Sequence, residues 1–93
     1  MITVKLPLNS CEVYALLDTR STHSFISPAC AQRLHLTPKK LEFDLSIETP
    51  LWEIAITSTG YKLCLVQISS PTLPFDLKSL EINKFNVILE LIG

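Results

Sequence analysis

The stretch Ala15-Leu16-Leu17-Asp18-Thr19-Arg20-Ser21-Thr22-His23-Ser24-Phe25-Ile26-Ser27 begins as an apolar run, ends that run on an acidic residue, and opens into small hydroxyl side chains before turning apolar again. Val13 to Leu17 have the character of a buried strand that delivers polar residues at its tip. On its own, Asp18 at such a tip reads as a turn residue or an Asx-type cap. Upstream, Ile2, Val4 and Leu6 alternate with Thr3 and Lys5, a period of two that places one side of a strand in a core. With Pro7 to Ser10 as the turn, the two segments predict a hairpin whose second strand carries Asp18 into an exposed loop.

Downstream, Ser27-Pro28 has the form of an N-cap followed by proline at the first helical position, and Cys30, Ala31 and Leu34 follow at helical spacing. This predicts a short helix from Pro28 to His35, stopped by Pro38. Phe43, Leu45 and Ile47 alternate with Asp44, Ser46 and Glu48, which predicts a strand entering a bend at Thr49-Pro50. Ile54 and Ile56, then Tyr61, Leu63 and Leu65, form two alternating segments around Ser58-Thr59-Gly60. They predict a second hairpin in which the glycine takes positive φ. Leu73, Phe75 and Leu77 give another strand. Phe85, Val87, Leu89 and Leu91 give the last, with Ile88 adding apolar weight to its second face, so that strand is expected to be buried on both sides. Several short strands and one helix predict an all-β, barrel-like domain.

Ninety-three residues support one domain, 1–93, and rule out a second independent one. With 47% apolar and 18% charged residues, against about 25% charged in an average globular chain, a folded core is expected and disorder is not. A chain this short buries only ~60 to 65% of its unfolded surface, so association with a further copy is expected to add stability.

Eight Lys and Arg against nine Asp and Glu give a net charge of -1, and only Lys39 and Lys40 are adjacent among the cations. No phosphate-tracking surface follows, so nucleic acid is not an expected partner. The opening Met-Ile-Thr-Val-Lys lacks the features of a secretory leader, and no apolar run approaches the ~18 residues of a membrane span. An intracellular, cytoplasmic protein without membrane contact is the expectation. Cys11, Cys30 and Cys64 match neither a disulfide framework nor a zinc spacing, and are expected to be reduced core thiols. His23 and His35 lack paired Cys or carboxylates at ligand spacing, so no metal or other cofactor is expected. Ser21, Ser24 and Ser27 lack a Gly-x-Ser-x-Gly elbow, which argues against a serine hydrolase.

With its flanks included, the Asp18 segment resembles the active-site segment of retropepsin-like aspartic proteases, especially the gypsy-type retrotransposon branch. That branch reads Ala-Leu-(apolar)-Asp-(Ser/Thr)-Gly-Ala-(Ser/Thr)-His-Ser-Phe-Ile-Ser. Leu34-His35-Leu36 matches the end of that family's helix, Ile47-Glu48-Thr49-Pro50-Leu51 its flap approach, and Cys64-Leu65-Val66-Gln67-Ile68 the strand after the flap. Phe75-Asp76-Leu77 and Phe85-Asn86-Val87-Ile88-Leu89 are similar to its closing pattern, Phe-Asp-Val-Ile-Leu-Gly-Met-Asp-Trp-Leu.

The resemblance implies a closed β-barrel with one short helix that forms half of a two-fold homodimer, each chain donating one Asp18 to a shared site. It implies a peptide or polyprotein substrate and no cofactor. Thr19 would hydrogen-bond across the two-fold axis, and Thr49 to Glu53 would belong to a flap over the peptide. The chemistry needs two carboxylates close together, because like charges at contact cannot both ionise. One keeps its proton and serves as acid while the other activates water; such dyads are the standard illustration of this effect.

The chain departs from the pattern at its glycines. Arg20 and Glu90 stand at two of them, Trp52 at a third, and Ile92 where the closing motif has aspartate. A side chain at position 20 crowds the axis, and a left-handed backbone there costs ~1 to 2 kcal/mol. A guanidinium about 4 Å from a carboxylate also favours the ionised form by ~4 kcal/mol at an effective dielectric of ~20. The expected function is therefore an aspartic endopeptidase domain of retroelement origin, with proteolysis impaired by Arg20 and Glu90. The alternative is a catalytically inactive dimerisation or peptide-binding module of the same fold. An unrelated small β-barrel in which Asp18 is only a turn is the third reading. Arg20 and Glu90 would form an ion pair if the two glycine positions neighbour each other, and Trp52 is either a substrate-contacting or a packed aromatic.

Overall fold

The computed structural model describes residues 2–19, 23–48, 54–67 and 72–90. Among them run β1 (Ile2–Leu8), β2 (Cys11–Asp18), β3 (Ser24–Ile26), α1 (Pro28–Arg33), β4 (Lys39–Glu48), β5 (Ile54–Gln67), β6 (Thr72–Ser79) and β7 (Val87–Glu90). The strands form one sheet in the order β1-β2-β7-β3-β6-β5-β4. The all-β class with a single short helix is as expected. Among the described residues no helix is long and apolar enough to cross a membrane.

β1 and β2 pair antiparallel from Ile2 with Leu17 to Leu8 with Cys11. The turn is only Asn9-Ser10, both at positive φ (48° and 68°), the backbone of a two-residue hairpin whose twist matches the strands it joins. Pro7, expected in the turn, lies within β1 opposite Glu12. It also bears on closure. The sheet curls until β1 meets β5, but among the described residues only Leu8 and Val66 pair there. Pro7 has no N–H to extend a ladder beyond Leu8. The expected closed barrel is thus a curled, unclosed sheet.

The expected second hairpin at Ser58-Thr59-Gly60 does not form. β5 runs unbroken through it, pairing with β4 over its first half and β6 over its second. Both partners meet at Gly60, which sits opposite Lys39 on one side and Lys78 on the other. No glycine among the described residues has positive φ. The requirement at Gly60 is space instead: a Cβ there would lie 3.1 Å from Leu41 Cδ2 and 3.2 Å from the Leu77 carbonyl oxygen. Register shifts in both ladders, between Lys40 and Leu45 and between Tyr61 and Cys64, bend the long strand around this close approach.

The helix starts where the sequence places it. Ser27 is the N-cap, with its Oγ accepting from the Cys30 N–H at 3.2 Å, and Pro28 is the first helical residue. It ends at Arg33 rather than His35. Leu34 is the C-cap, and His35 enters the left-handed region at φ 57° while its N–H donates to the Gln32 carbonyl.

Two apolar clusters result. The larger gathers Leu8, Val13, Ala15, Ile26, Cys64, Val66, Leu77, Val87 and Leu89 inside the curl. The smaller gathers Leu16, Phe25, Ile47, Ile82 and Ile88, with Leu45, Leu80 and Phe85 packed against it. β7 contributes to both clusters, because Val87 and Leu89 face one while Ile88 faces the other. The strand is buried on both sides, as its sequence predicts.

Candidate active site

β2 and β3 are consecutive in the chain, yet β7 is inserted between them. It runs parallel to β2, from Ala15 with Val87 to Asp18 with Glu90, and antiparallel to β3 through Phe25 with Ile88 and Ile26 with Val87. This arrangement brings the last residue of β2, the last of β7 and the first of β3 to one end of the sheet. Those residues are Asp18, Glu90 and Ser24. The buried Ser24 ties β3 to β7 at this end, since its Oγ accepts the Glu90 N–H at 3.0 Å.

Asp18 is 1% exposed, among the most enclosed side chains of the protein. It is not the solvent-facing turn residue of the simplest reading. Its Oδ2 is buried with no hydrogen bond from the described residues, while the residue does interact with its surroundings. Alternation along β2 puts Asp18 on the same face as Leu16, and registry with β7 adds Glu90 and Ile88 to that face. The carboxylate therefore stands at the end of an apolar floor made by Leu16, Phe25 and Ile88. Ile47 of β4 and Ile82 pack onto that floor. A buried acid beside a water-poor surface suits proton transfer.

Thr19, the second expected site residue, is exposed immediately beyond Asp18. Arg20, Trp52 and the flap segment from Thr49 to Glu53 lie outside the described residues, so the structure carries no statement about the Arg20–Glu90 pairing. His23 lies beside Phe25 with ring centroids 6.3 Å apart and the ring planes tilted by 59°. Among the described residues no three His, Cys, Asp or Glu side chains converge as metal ligands would.

Of the three thiols expected in the core, Cys30 and Cys64 are buried but Cys11 is exposed, because it opens β2 directly after the hairpin turn. Burial pushes the Cys64 thiol up to about 11, helped by the charge of Asp76. Burial also raises Cys30, against the opposing influence of Arg33. Both are inert at neutral pH.

Among the described residues, two hollows flank this unit. One of about 340 Å³ lies between β5 and the β6 exit, lined by Ile56, Thr57, Ser79 and Leu80 among others. The other, of about 480 Å³, lies against α1 and includes Tyr14, Arg33, Lys84 and Asn86. Neither includes Asp18. Sequence reasoning singled out Asp18 but missed Ser24 and the floor residues Leu16 and Ile88. The usable signal was their period-two relation to Asp18 and Glu90, which becomes informative only once β7 is known to lie beside β2.

The family model described as Retroviral aspartyl protease matches residues 1–91. No curated protein matches the chain. Among solved structures, the retroviral protease-like domain of Ddi1 from Leishmania major is similar, with a TM-score of 0.67 at 16% identity. The match covers 99% of this chain and 73% of that one. At that identity the likeness speaks to the fold alone. With all but the last two residues matched by the family model, the chain belongs to the retroviral aspartyl protease family.

Proposed function

We propose that this chain is one half of a homodimeric aspartic endopeptidase of retroelement, gypsy-type origin, with its proteolysis impaired. The observation that carries the proposal is the buried Asp18 at the end of β2, in register with β7 and set at the edge of an apolar floor. One such carboxylate per chain is half of what water activation needs, and a second copy related by a two-fold axis supplies the other half. In that site the two Asp18 carboxyls hold one proton between them. The ionised one takes a proton from water as it attacks the peptide carbonyl, and the protonated one gives its proton to the leaving amine. Thr19, next in the chain, holds each Asp18 loop against its mate.

Glu90 supports the impairment, because its register places a second acidic residue beside Asp18 in every subunit where the family pattern has glycine. Arg20, two residues after Asp18, adds a cation to the same loop and is a suitable counter-charge for Glu90. The same two residues favour the second reading, a dimerisation or peptide-binding module that keeps the cleft and no longer hydrolyses. Cleavage of a peptide library at pH 4 to 6 by the purified chain, with and without an aspartic-protease inhibitor, separates the readings. Weak, inhibitor-sensitive cleavage that increases in Arg20→Gly is expected, whereas wild-type cleavage that Arg20→Gly leaves unchanged overturns the impairment. Absence of cleavage in both, with peptide still bound, favours the module.

A further inference from the structure

β7 is held by short ladders, four residue pairs to β2 and two to β3, and its register decides what stands beside Asp18. A slip of one residue would exchange its faces, removing Glu90 from the row of Asp18 and Ile88 from the apolar floor. The residue just before the strand is Asn86, and its polar groups are committed to the neighbours on both sides. Its N–H donates to the Tyr14 carbonyl at 2.8 Å, and its side-chain Oδ1 accepts the Tyr14 N–H, also at 2.8 Å. Its own carbonyl accepts the Ser27 N–H at 2.9 Å, at the junction of β3 and α1.

The side-chain bond has a specific cause. The ladder begins only at Ala15 with Val87, so the chain before Asn86 has not joined the sheet and offers Tyr14 no backbone carbonyl. The amide oxygen takes that place, and since Tyr14 N is a donor, the oxygen must be the atom that faces it. We infer that Asn86 is a positioning residue: it pins β7 in register between β2 and the β3 exit and so places Glu90 and Ile88 beside Asp18. It acts from a distance, four residues or about 13 Å along the strand from Asp18. The inference rests on Asp18 marking the functional site, but its test does not need peptide cleavage.

Site-resolved amide hydrogen exchange on the folded chain reads the pin directly. In Asn86→Ala the Tyr14 amide loses its acceptor and should exchange faster. The informative amide is that of Glu90, at the other end of β7, which donates to Ser24 Oγ. Pinning requires it to accelerate by about tenfold or more while amides of the β5–β6 ladder keep their protection. Asn86→Asp keeps an acceptor oxygen in place and should preserve Glu90 protection. Unchanged Glu90 exchange in Asn86→Ala overturns the pin, as does equal acceleration across the whole sheet. Should Asn86→Ala not fold, Asn86→Gln, which moves the oxygen by one carbon, must speed Glu90 relative to Asn86→Asp; equal protection in the two overturns the proposal. A chain that never cuts peptide can still pass this test, and an active one can fail it.

Discussion

The β2–β7–β3 unit and the β4–β5 arm carry the same kind of sequence and end in opposite environments. Val87, Ile88 and Leu89 are enclosed completely in a strand of four residues, because β7 has a strand on either side and an apolar cluster on either face. Phe43, Ile54 and Ile56 alternate just as cleanly, yet they are 80%, 79% and 73% exposed. Here β4 is the edge of the sheet, and only Leu45 and Ile47 reach the smaller cluster. Alternation fixes which residues share a face, and topology decides whether anything covers it. The apolar faces of β7 are covered within one chain, whereas Phe43, Ile54 and Ile56 on the arm stay exposed.

The sharpest way to break this contrast is to remove side chains from each region. Ile88→Ala should destabilise the fold by about 2 to 5 kcal/mol in denaturant titration, since it opens a cavity where β2, β3 and β7 meet. A loss under 1 kcal/mol would mean that β7 is not the packed centre described here. Gly60→Ala probes the junction between the regions. A Cβ at 3.2 Å from the Leu77 carbonyl must displace backbone, so a loss of about 1 to 3 kcal/mol is expected. A neutral or stabilising outcome would point back to a turn at this position.

Ser27→Ala removes the helix cap next to the Asn86 contact and should cost about 1 kcal/mol, with Ser27→Gly costing less. Ile56→Ala should change stability by no more than about 0.5 kcal/mol, as expected for an uncovered side chain. A larger loss that grows with protein concentration would show that a second copy covers the arm.

The same contrast explains what was legible in advance. Val87 to Leu89, apolar on consecutive positions, announced a doubly buried strand because an edge strand could not keep both faces dry. Ser27-Pro28 announced the helix start because capping chemistry is local. Gly60 misled for a physical reason: glycine between polar residues signals a turn when only chain conformation is weighed, but here it answers the close approach of Leu41 and the Leu77 backbone, which arrive from distant parts of the chain. The Phe43 strand was legible but its exposure was not, because alternation says nothing about where a sheet stops. At the candidate site, Asp18 was legible from its flanks. The roles of Ser24 and Asn86 were not, since both depend on β7 being threaded between strands some sixty to seventy residues earlier in sequence.

The central claim is that two Asp18 carboxylates, one from each subunit, meet at a two-fold axis. An experimentally determined structure of the assembled protein measures this directly. The expected result is a symmetric dimer with the two carboxyls about 3 Å apart, close enough to share a proton. A dimer joined through another surface, leaving each Asp18 enclosed in its own subunit and far from its mate, would contradict it.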